Sequence, residues 1–143
     1  FLGTDAVAPE TPVIVGGHSQ GAPLAAVCAA FLAASLPKRR VALYALGGPR
    51  VGDAALARAV REDLMPGRAY RVVNTEDVLT EFVLPVQPNL REDSGYIYYS
   101  SCGEVVAFTS GCTRLEECHS LSTYARGLSR LRTEEEDRRA RAR

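Results

Sequence analysis

Residues 13–34, "VIVGGHSQGAPLAAVCAAFLAA", constrain the fold more than any other part of this chain. The β-branched start predicts a buried strand over "TPVIVGGH", and the part rich in Ala and Leu predicts a helix over residues 20–35. Pro23 falls in the first turn of that helix, where no backbone donor is missed. A strand that turns at once into a helix is typical of α/β layer proteins, and here the turn carries one serine, Ser19.

Gly17 and Gly21 flank Ser19 in the pattern G-x-S-x-G. In such a turn the chain reverses sharply after a strand and lifts the serine oxygen clear of the sheet, and side chains at the flanking positions would collide. The start of the following helix adds partial positive charge, and Gln20 supplies a backbone N–H donor for an oxyanion. The pattern predicts that Ser19 is a nucleophile; the alternative is a glycine-rich turn that happens to hold a serine.

A nucleophilic serine needs a base that takes its proton and an acid that orients the base. The chain has two histidines. His18 neighbours Ser19 on the strand and points to the opposite face, so we expect it to pack beneath the turn. His119 follows a long loop that could bring it over the sheet edge, and we predict it as the base, with a helix-capping role as the alternative.

Asp77 is the carboxylate best placed to orient His119. It stands just past the strand "AYRVVN", at the sheet edge where catalytic groups gather in open α/β folds. Glu76 is one residue off and should face elsewhere, Asp53 suits the start of a helix, and Asp93 lies in a predicted turn. The resulting chain order of Ser, Asp and His is that of the α/β-hydrolases.

The remaining pattern repeats the strand and helix alternation. "RRVALYALGGPR" and "RAYRVVNTED" are predicted strands, and "GDAALARAVREDLM" between them is a predicted helix that Pro66 and Gly67 end. Strands that alternate with helices form right-handed crossovers, which predict a mostly parallel sheet flanked by helices on both faces.

The second half of the chain departs from that rhythm. "VLTEFVLPVQPNLREDS" and "SGCTRLEEC" are predicted loops, while "GYIYYSS" and "EVVAFTS" alternate like two antiparallel strands of an edge hairpin around Cys102 and Gly103. A final helix is predicted over residues 119–131. The charged extension "TEEEDRRARAR" after it suits a solvated helix.

Size and charge bound the function. A chain of 143 residues is one domain's worth, and a formal net charge of +0 gives no electrostatic reason to expect nucleic acid or an anionic membrane. The longest apolar run, residues 23–36, is too short to span a bilayer. These properties favour a small or lipidic ligand. The first residues carry no signal pattern, so the compartment stays open.

The four cysteines lack the paired spacing of a zinc site. Cys28, on the helix after Ser19, is expected to be a small buried apolar residue. Cys112 could pair with either Cys102 or Cys118 and thereby fix the loop before His119.

Four separate motifs together resemble the class 3 lipases, the fungal-type triacylglycerol lipase family of the α/β-hydrolase fold. "VGGHSQGAPLA" resembles that family's GHSLGGALA turn, "YALGGPRVGD" its F-G-x-P-R-V-G-N strand end, "YRVVNTEDVLT" its acid motif, and "CHSLSTY" its last histidine and tyrosine motif. The resemblance implies Ser19 as nucleophile, Asp77 as acid and His119 as base. It further implies hydrolysis of acyl esters in lipids, with no metal or organic cofactor.

The chain also departs from the family pattern. Ala22 and Pro23 replace Gly and Ala, Thr80 stands where the family has Pro, and Tyr98 stands where it has His. The family places its second oxyanion donor, its lid and the first part of its sheet upstream of the serine turn. We therefore expect residues 1–132 to be the C-terminal portion of such a domain, N-terminally truncated, and residues 133–143 to be a charged tail.

Taken together, the sequence predicts a serine hydrolase that cleaves acyl esters of glycerolipids through an acyl-enzyme. The alternatives are a non-catalytic lipase-like interaction module and an acyltransferase or phospholipase of the same fold. The expected partners are a lipid or other acyl ester and, transiently, a lipid interface; nucleic acid and an integral membrane segment are not expected.

Overall fold

The computed structural model describes residue 8, residues 10–89 and residues 95–142; Asp93 lies outside this range. In chain order the strands are β1 (Val13–His18), β2 (Val41–Leu46), β3 (Ala69–Asn74), β4 (Val86–Pro88), β5 (Tyr96–Tyr98) and β6 (Glu104–Phe108). The helices are α1 (Gly21–Ser35), α2 (Ala54–Arg58), α3 (Leu115–Cys118) and α4 (Leu121–Arg141).

A four-stranded parallel sheet in the order β1-β2-β3-β6 forms the centre of the molecule. Its strands are joined by crossovers that contain helices, as the alternation in the sequence predicts. Because all four strands run the same way, their carboxyl ends meet at one edge. The ends of β1 and β3 therefore bring Ser19 and Asp77 to the same edge of the sheet.

Helix α1 covers one face of this sheet through its alanines. The buried positions of α1 are Ala22, Ala25, Ala26, Ala29 and Ala30. These short side chains let the helix lie close to β1 and β2, where they pack against Val41 and Leu43. Helix α2 continues into a wider π-helical turn over Ala59–Leu64, which adds Val60 to the same core before Pro66 and Gly67 end it.

Helix α4 covers part of the opposite face. Tyr124 is buried against Val72 and Phe108. At Gly127 an added Cβ would lie 2.3 Å from the Phe108 ring, so glycine lets α4 approach the sheet. The helix continues without a break to Arg141, which agrees with a helical charged extension. Helices on both faces of a parallel sheet confirm the predicted α/β architecture.

The predicted edge hairpin is wrong. β5 pairs antiparallel with β4, in a small sheet of two strands, and β6 pairs parallel with β3. The alternating pattern identified two strands correctly, but alternation shows only that one face is buried and does not select the neighbouring strand. Between β5 and β6 the chain crosses over to the main sheet, where the Val51 amide bonds the Ser100 carbonyl at 3.0 Å.

The two segments predicted as loops contain short regular elements. The Pro-rich segment holds a 3₁₀ turn, Val78–Glu81, and strand β4, while the segment before His119 holds α3. Such elements of three or four residues are too short to leave a periodic signal in the sequence. None of the helices in the described part of the chain has both the length and the hydropathy to cross a membrane.

The cysteines give one agreement and one correction. Cys112 and Cys118 form a disulfide, which is one of the two pairings considered from the sequence. The prediction that Cys28 is buried is wrong, because Cys28 is exposed. The buried stripe of α1 is made by its alanines, and Cys28 lies on the other side of the helix, with the exposed Val27 and Phe31.

Candidate active site

Ser19 occupies a strained turn between β1 and α1. Its φ of 57° makes it the one residue other than glycine with a positive φ in the part of the chain that the structure describes. Side chains rarely adopt this conformation, and a nucleophile held at such a turn is typical of α/β-hydrolases. The Ser19 amide donates to Leu46 at 3.0 Å, and its carbonyl accepts from Ala22 at 3.0 Å. The backbone thus fixes the strained residue on both sides.

The two glycines that flank Ser19 differ in their surroundings. A Cβ on Gly17 would lie 2.0 Å from the Gly21 carbonyl oxygen, so no side chain fits there. At Gly21 an added Cβ would meet nothing within 4 Å among the described residues, so the expectation that both glycines prevent collisions is wrong for Gly21. The second close approach is at Gly48, where a Cβ would lie 2.3 Å from that of Ala22.

Exchanging these two glycines for alanine tests the difference. We expect Gly17→Ala to destabilise the full-length protein by about 3 kcal/mol or more, because the new methyl group must displace backbone rather than a flexible side chain. Gly21→Ala is the matched control, and we expect a change of less than about 1 kcal/mol because it lies in a helix with open space beside it. Chemical denaturation measures both, and equal effects would contradict the proposed geometry.

Ser19, His119 and Asp77 lie in one chain of hydrogen bonds. The Ser19 Oγ is 2.7 Å from His119 Nε2, and His119 Nδ1 is 2.7 Å from Asp77 Oδ2. His119 is partly buried, and the side chain of Asp77 is fully buried. The residues come from positions 100 and 42 residues apart in the chain, so the fold brings them together. With a proton on Nδ1, the imidazole can accept the serine proton at Nε2.

Asp77 is held by two further donors. The Tyr124 hydroxyl donates to Oδ2 at 2.8 Å, and the Leu79 amide donates to Oδ1 at 3.1 Å. Burial raises the pKa of Tyr124 strongly, so its hydroxyl keeps the proton that it donates. That hydroxyl also accepts from the Asn74 amide at 3.3 Å. The carboxylate is therefore fixed in orientation before it meets His119.

His18 packs on the other side of His119, as its position beside Ser19 predicts. The two imidazole rings are 4.7 Å apart, and the His18 ring also contacts Tyr124 edge-on at 5.6 Å. Burial and the neighbouring His119 lower the pKa of His18. His18 thus stays neutral at pH 7, and it presents no competing positive charge when His119 takes up a proton.

The other carboxylates considered from the sequence have separate roles. Asp53 caps α2 and accepts a hydrogen bond from the Leu56 amide at 2.9 Å, as a helix N-cap does. Glu76 faces away from His119 and accepts from Ser110 and Gly111. Neither one contacts Ser19 or His119 in the described structure.

An open groove of about 190 Å³ runs past Ser19 and His119. Apart from the polar residues Ser19, Gln20 and His119, its walls come from Gly47, Pro49, Leu79 and Phe82. The Gln20 amide begins the N-terminal end of α1 and has no acceptor among the described residues. The groove therefore combines an apolar wall with a free N–H donor beside the serine oxygen.

Sequence reasoning missed several contributors to this site. Tyr124 was part of a recognised motif, but its spacing from His119 does not reveal a bond to Asp77. Leu79 and Phe82 fall in a segment predicted as a loop, although the 3₁₀ turn aims them at the groove. Apolar residues directly after the predicted acid were the available signal. Among the described residues, no three His, Cys, Asp or Glu side chains are grouped as a metal site requires.

Comparison with known proteins gives consistent results. The family model described as Lipase (class 3) matches residues 4–87, which include Ser19 and Asp77 and end before His119. A secreted mono- and diacylglycerol lipase 3 from Gibberella zeae is 35% identical over 94 residues, which are 63% of this chain and 28% of that protein.

Two solved structures are similar in fold. Lipase II from Rhizopus niveus has a TM-score of 0.52 and 25% identity, over 76% of this chain and 41% of that one. A lipase from Rhizopus microsporus var. chinensis has a TM-score of 0.49 and 24% identity, over 81% of this chain and 43% of that one. The chain thus spans less than half the length of each of these relatives.

Proposed function

The chain belongs to the class 3 lipase family, and on that premise we propose that the protein hydrolyses acyl esters of glycerolipids. Ser19 serves as the nucleophile, His119 as the general base and Asp77 as the acid that orients it. The observation that carries this proposal is the pair of 2.7 Å contacts that link the three side chains. The assignment of His119 rests on this geometry, because the family match ends before it.

The reaction starts when Ser19 Oγ attacks the ester carbonyl carbon while His119 Nε2 takes the serine proton. Asp77 stabilises the imidazolium that forms. As the tetrahedral intermediate collapses, His119 gives that proton to the leaving alcohol oxygen, and an acyl-enzyme remains. Water then attacks the acyl group, with His119 again as the base, and a fatty acid leaves while Ser19 regains its proton.

The Gln20 amide is the proposed oxyanion donor. It lies one residue after the nucleophile and at the start of α1, where the helix dipole adds positive charge. One such donor is worth about 3 kcal/mol of the barrier. The enzymes of this fold combine it with a second donor from another loop, so activity is to be measured on the full-length protein.

The groove supports an acyl chain as the substrate group beside the serine. Pro49, Leu79 and Phe82 give it an apolar wall, and no Lys, Arg, Asp or Glu lines it among the described residues. The Phe82 side chain is 79% exposed, so it is available to contact a hydrocarbon chain. The similarity to a mono- and diacylglycerol lipase suggests partial glycerides as the first substrates to try.

Fatty acid release from lipid emulsions tests the proposed function. We expect the full-length protein to release fatty acid from monoacylglycerol and diacylglycerol emulsions, with the heat-unfolded protein as blank. Parallel emulsions of triacylglycerol and phospholipid identify the preferred head group, and an added alcohol separates transfer from hydrolysis. A folded protein that releases no fatty acid from any of these esters would contradict the proposal.

A further inference from the structure

Glu76 stands next to Asp77 in the chain but binds a different partner. Its Oε2 accepts hydrogen bonds from the Ser110 hydroxyl at 2.8 Å, the Ser110 amide at 3.1 Å and the Gly111 amide at 2.8 Å. The Ser110 hydroxyl and these amides lower the pKa of Glu76. The carboxylate is therefore charged at pH 7, and it holds the start of the segment that leads to His119.

Residues 110–118 form that segment, and we call it the His119 loop. A disulfide between Cys112 and Cys118 closes it, and Cys118 is joined directly to His119. Asn74, at the end of β3, donates to the Ser110 hydroxyl and to the Cys118 carbonyl, both at 3.0 Å. Both ends of the loop are thus bonded to the carboxyl end of β3.

The His119 loop contributes little to the hydrophobic core. Within it only Cys118 is buried, and Leu115 is 47% exposed. A segment with few buried apolar contacts opens at low free-energy cost unless polar bonds or a covalent link hold it. The position of the loop, and so of the imidazole that it carries, depends on Glu76, Asn74 and the disulfide.

We propose that Glu76 is a positioning residue for the hydrolysis: it holds the His119 loop in the place from which His119 reaches Ser19. Asp77 orients the imidazole itself, so two adjacent carboxylates after β3 share the task from opposite faces. This inference rests on the proposed roles of Ser19, Asp77 and His119. Glu76 does not line the groove, so it acts on the reaction without touching the substrate.

Removal of the Glu76 carboxylate should affect the catalytic step rather than substrate binding. A misplacement of the reacting groups by about 1 Å costs about 100-fold in rate, and the disulfide limits how far the loop can move. We expect Glu76→Ala to lower kcat about tenfold, with KM for a short ester unchanged. Glu76→Gln keeps an oxygen that accepts from the two amides, and we expect it to recover most of kcat.

The experiment measures kcat and KM of the full-length protein on 4-nitrophenyl butyrate, with active sites counted by titration with a fluorophosphonate. Counting active sites separates slow enzyme from unfolded enzyme, which a purely structural role would produce. Glu76→Asp withdraws the charge by one methylene and should also lower kcat, so it decides the matter where Glu76→Ala does not fold. Glu104→Ala is the control, because Glu104 is exposed and has no side-chain hydrogen bond in the described structure.

Reduction of the disulfide adds a second readout. Glu76 and the disulfide hold the same loop, so their effects should not be additive. We expect a phosphine reductant to lower kcat more in Glu76→Ala than in the wild type. Wild-type kcat per titrated site in both Glu76→Ala and Glu76→Asp would overturn the positioning role alone. A wild-type protein that neither hydrolyses the ester nor reacts with the phosphonate would overturn the proposed function as well.

Discussion

Ser19→Ala is expected to lower kcat for ester hydrolysis by about a million-fold, the loss found when a triad nucleophile is removed elsewhere. Alanine cannot form the acyl-enzyme, and His119 then has no hydroxyl to deprotonate. The positive φ of Ser19 is tolerated no better by alanine, so the fold should not gain stability from the change. Initial rates on a short chromogenic ester and on a diacylglycerol emulsion measure the effect.

Ser35→Ala is the control for this change, because Ser35 ends α1 and lies outside the groove. It should retain wild-type kcat. The thermal midpoints of the wild type and both variants show whether the proteins are folded. A folded Ser19→Ala protein that keeps more than about one hundredth of the wild-type rate would remove Ser19 from the mechanism.

Asp77→Asn is the second large effect, with an expected fall in kcat of about 10,000-fold. The asparagine side chain keeps the size of the aspartate but replaces one carboxylate oxygen with an NH₂ group. That group competes with the imidazole N–H and favours the wrong tautomer of His119. The Tyr124 hydroxyl, which donates to the same oxygen, reinforces the effect because it needs an acceptor at that position.

Asp53→Asn makes the same chemical change at the N-cap of α2, where asparagine caps a helix as well as aspartate does. It should leave kcat unchanged. The measurement is kcat over a range of pH, since the variant at Asp77 should also lose the rise in rate that accompanies deprotonation of His119. Equal rates for Asp77→Asn and the wild type would exclude Asp77 as the orienting acid and leave His119 without an assigned partner.

Much of the fold could be predicted because the parallel core has strong local signals. β1, β2 and β3 are short apolar runs that end in glycine or polar residues, and α1 follows the serine turn without a gap. These signals also located Ser19 and Asp77, since both stand where a predicted strand ends. His119 followed from the count of histidines more than from any structural pattern.

The elements that were missed are those that long-range contacts determine. The pairing of β6 with β3 depends on a crossover of about thirty residues, which strand alternation cannot reveal. The exposure of Cys28 depends on which side of a uniformly apolar helix meets the sheet. The bonds of Glu76 to Ser110 and Gly111 join residues more than thirty positions apart, so no spacing rule predicts them.

The central claim is that His119 and Asp77 activate Ser19, and covalent labelling with a fluorophosphonate tests it most directly. The full-length protein is incubated with the probe, and the adduct is located by mass spectrometry of its peptides, with Ser19→Ala as the blank. The account predicts a single adduct on Ser19 of the folded wild type and none in the blank. A folded wild-type protein that gains no adduct, or gains one on another residue, would contradict it.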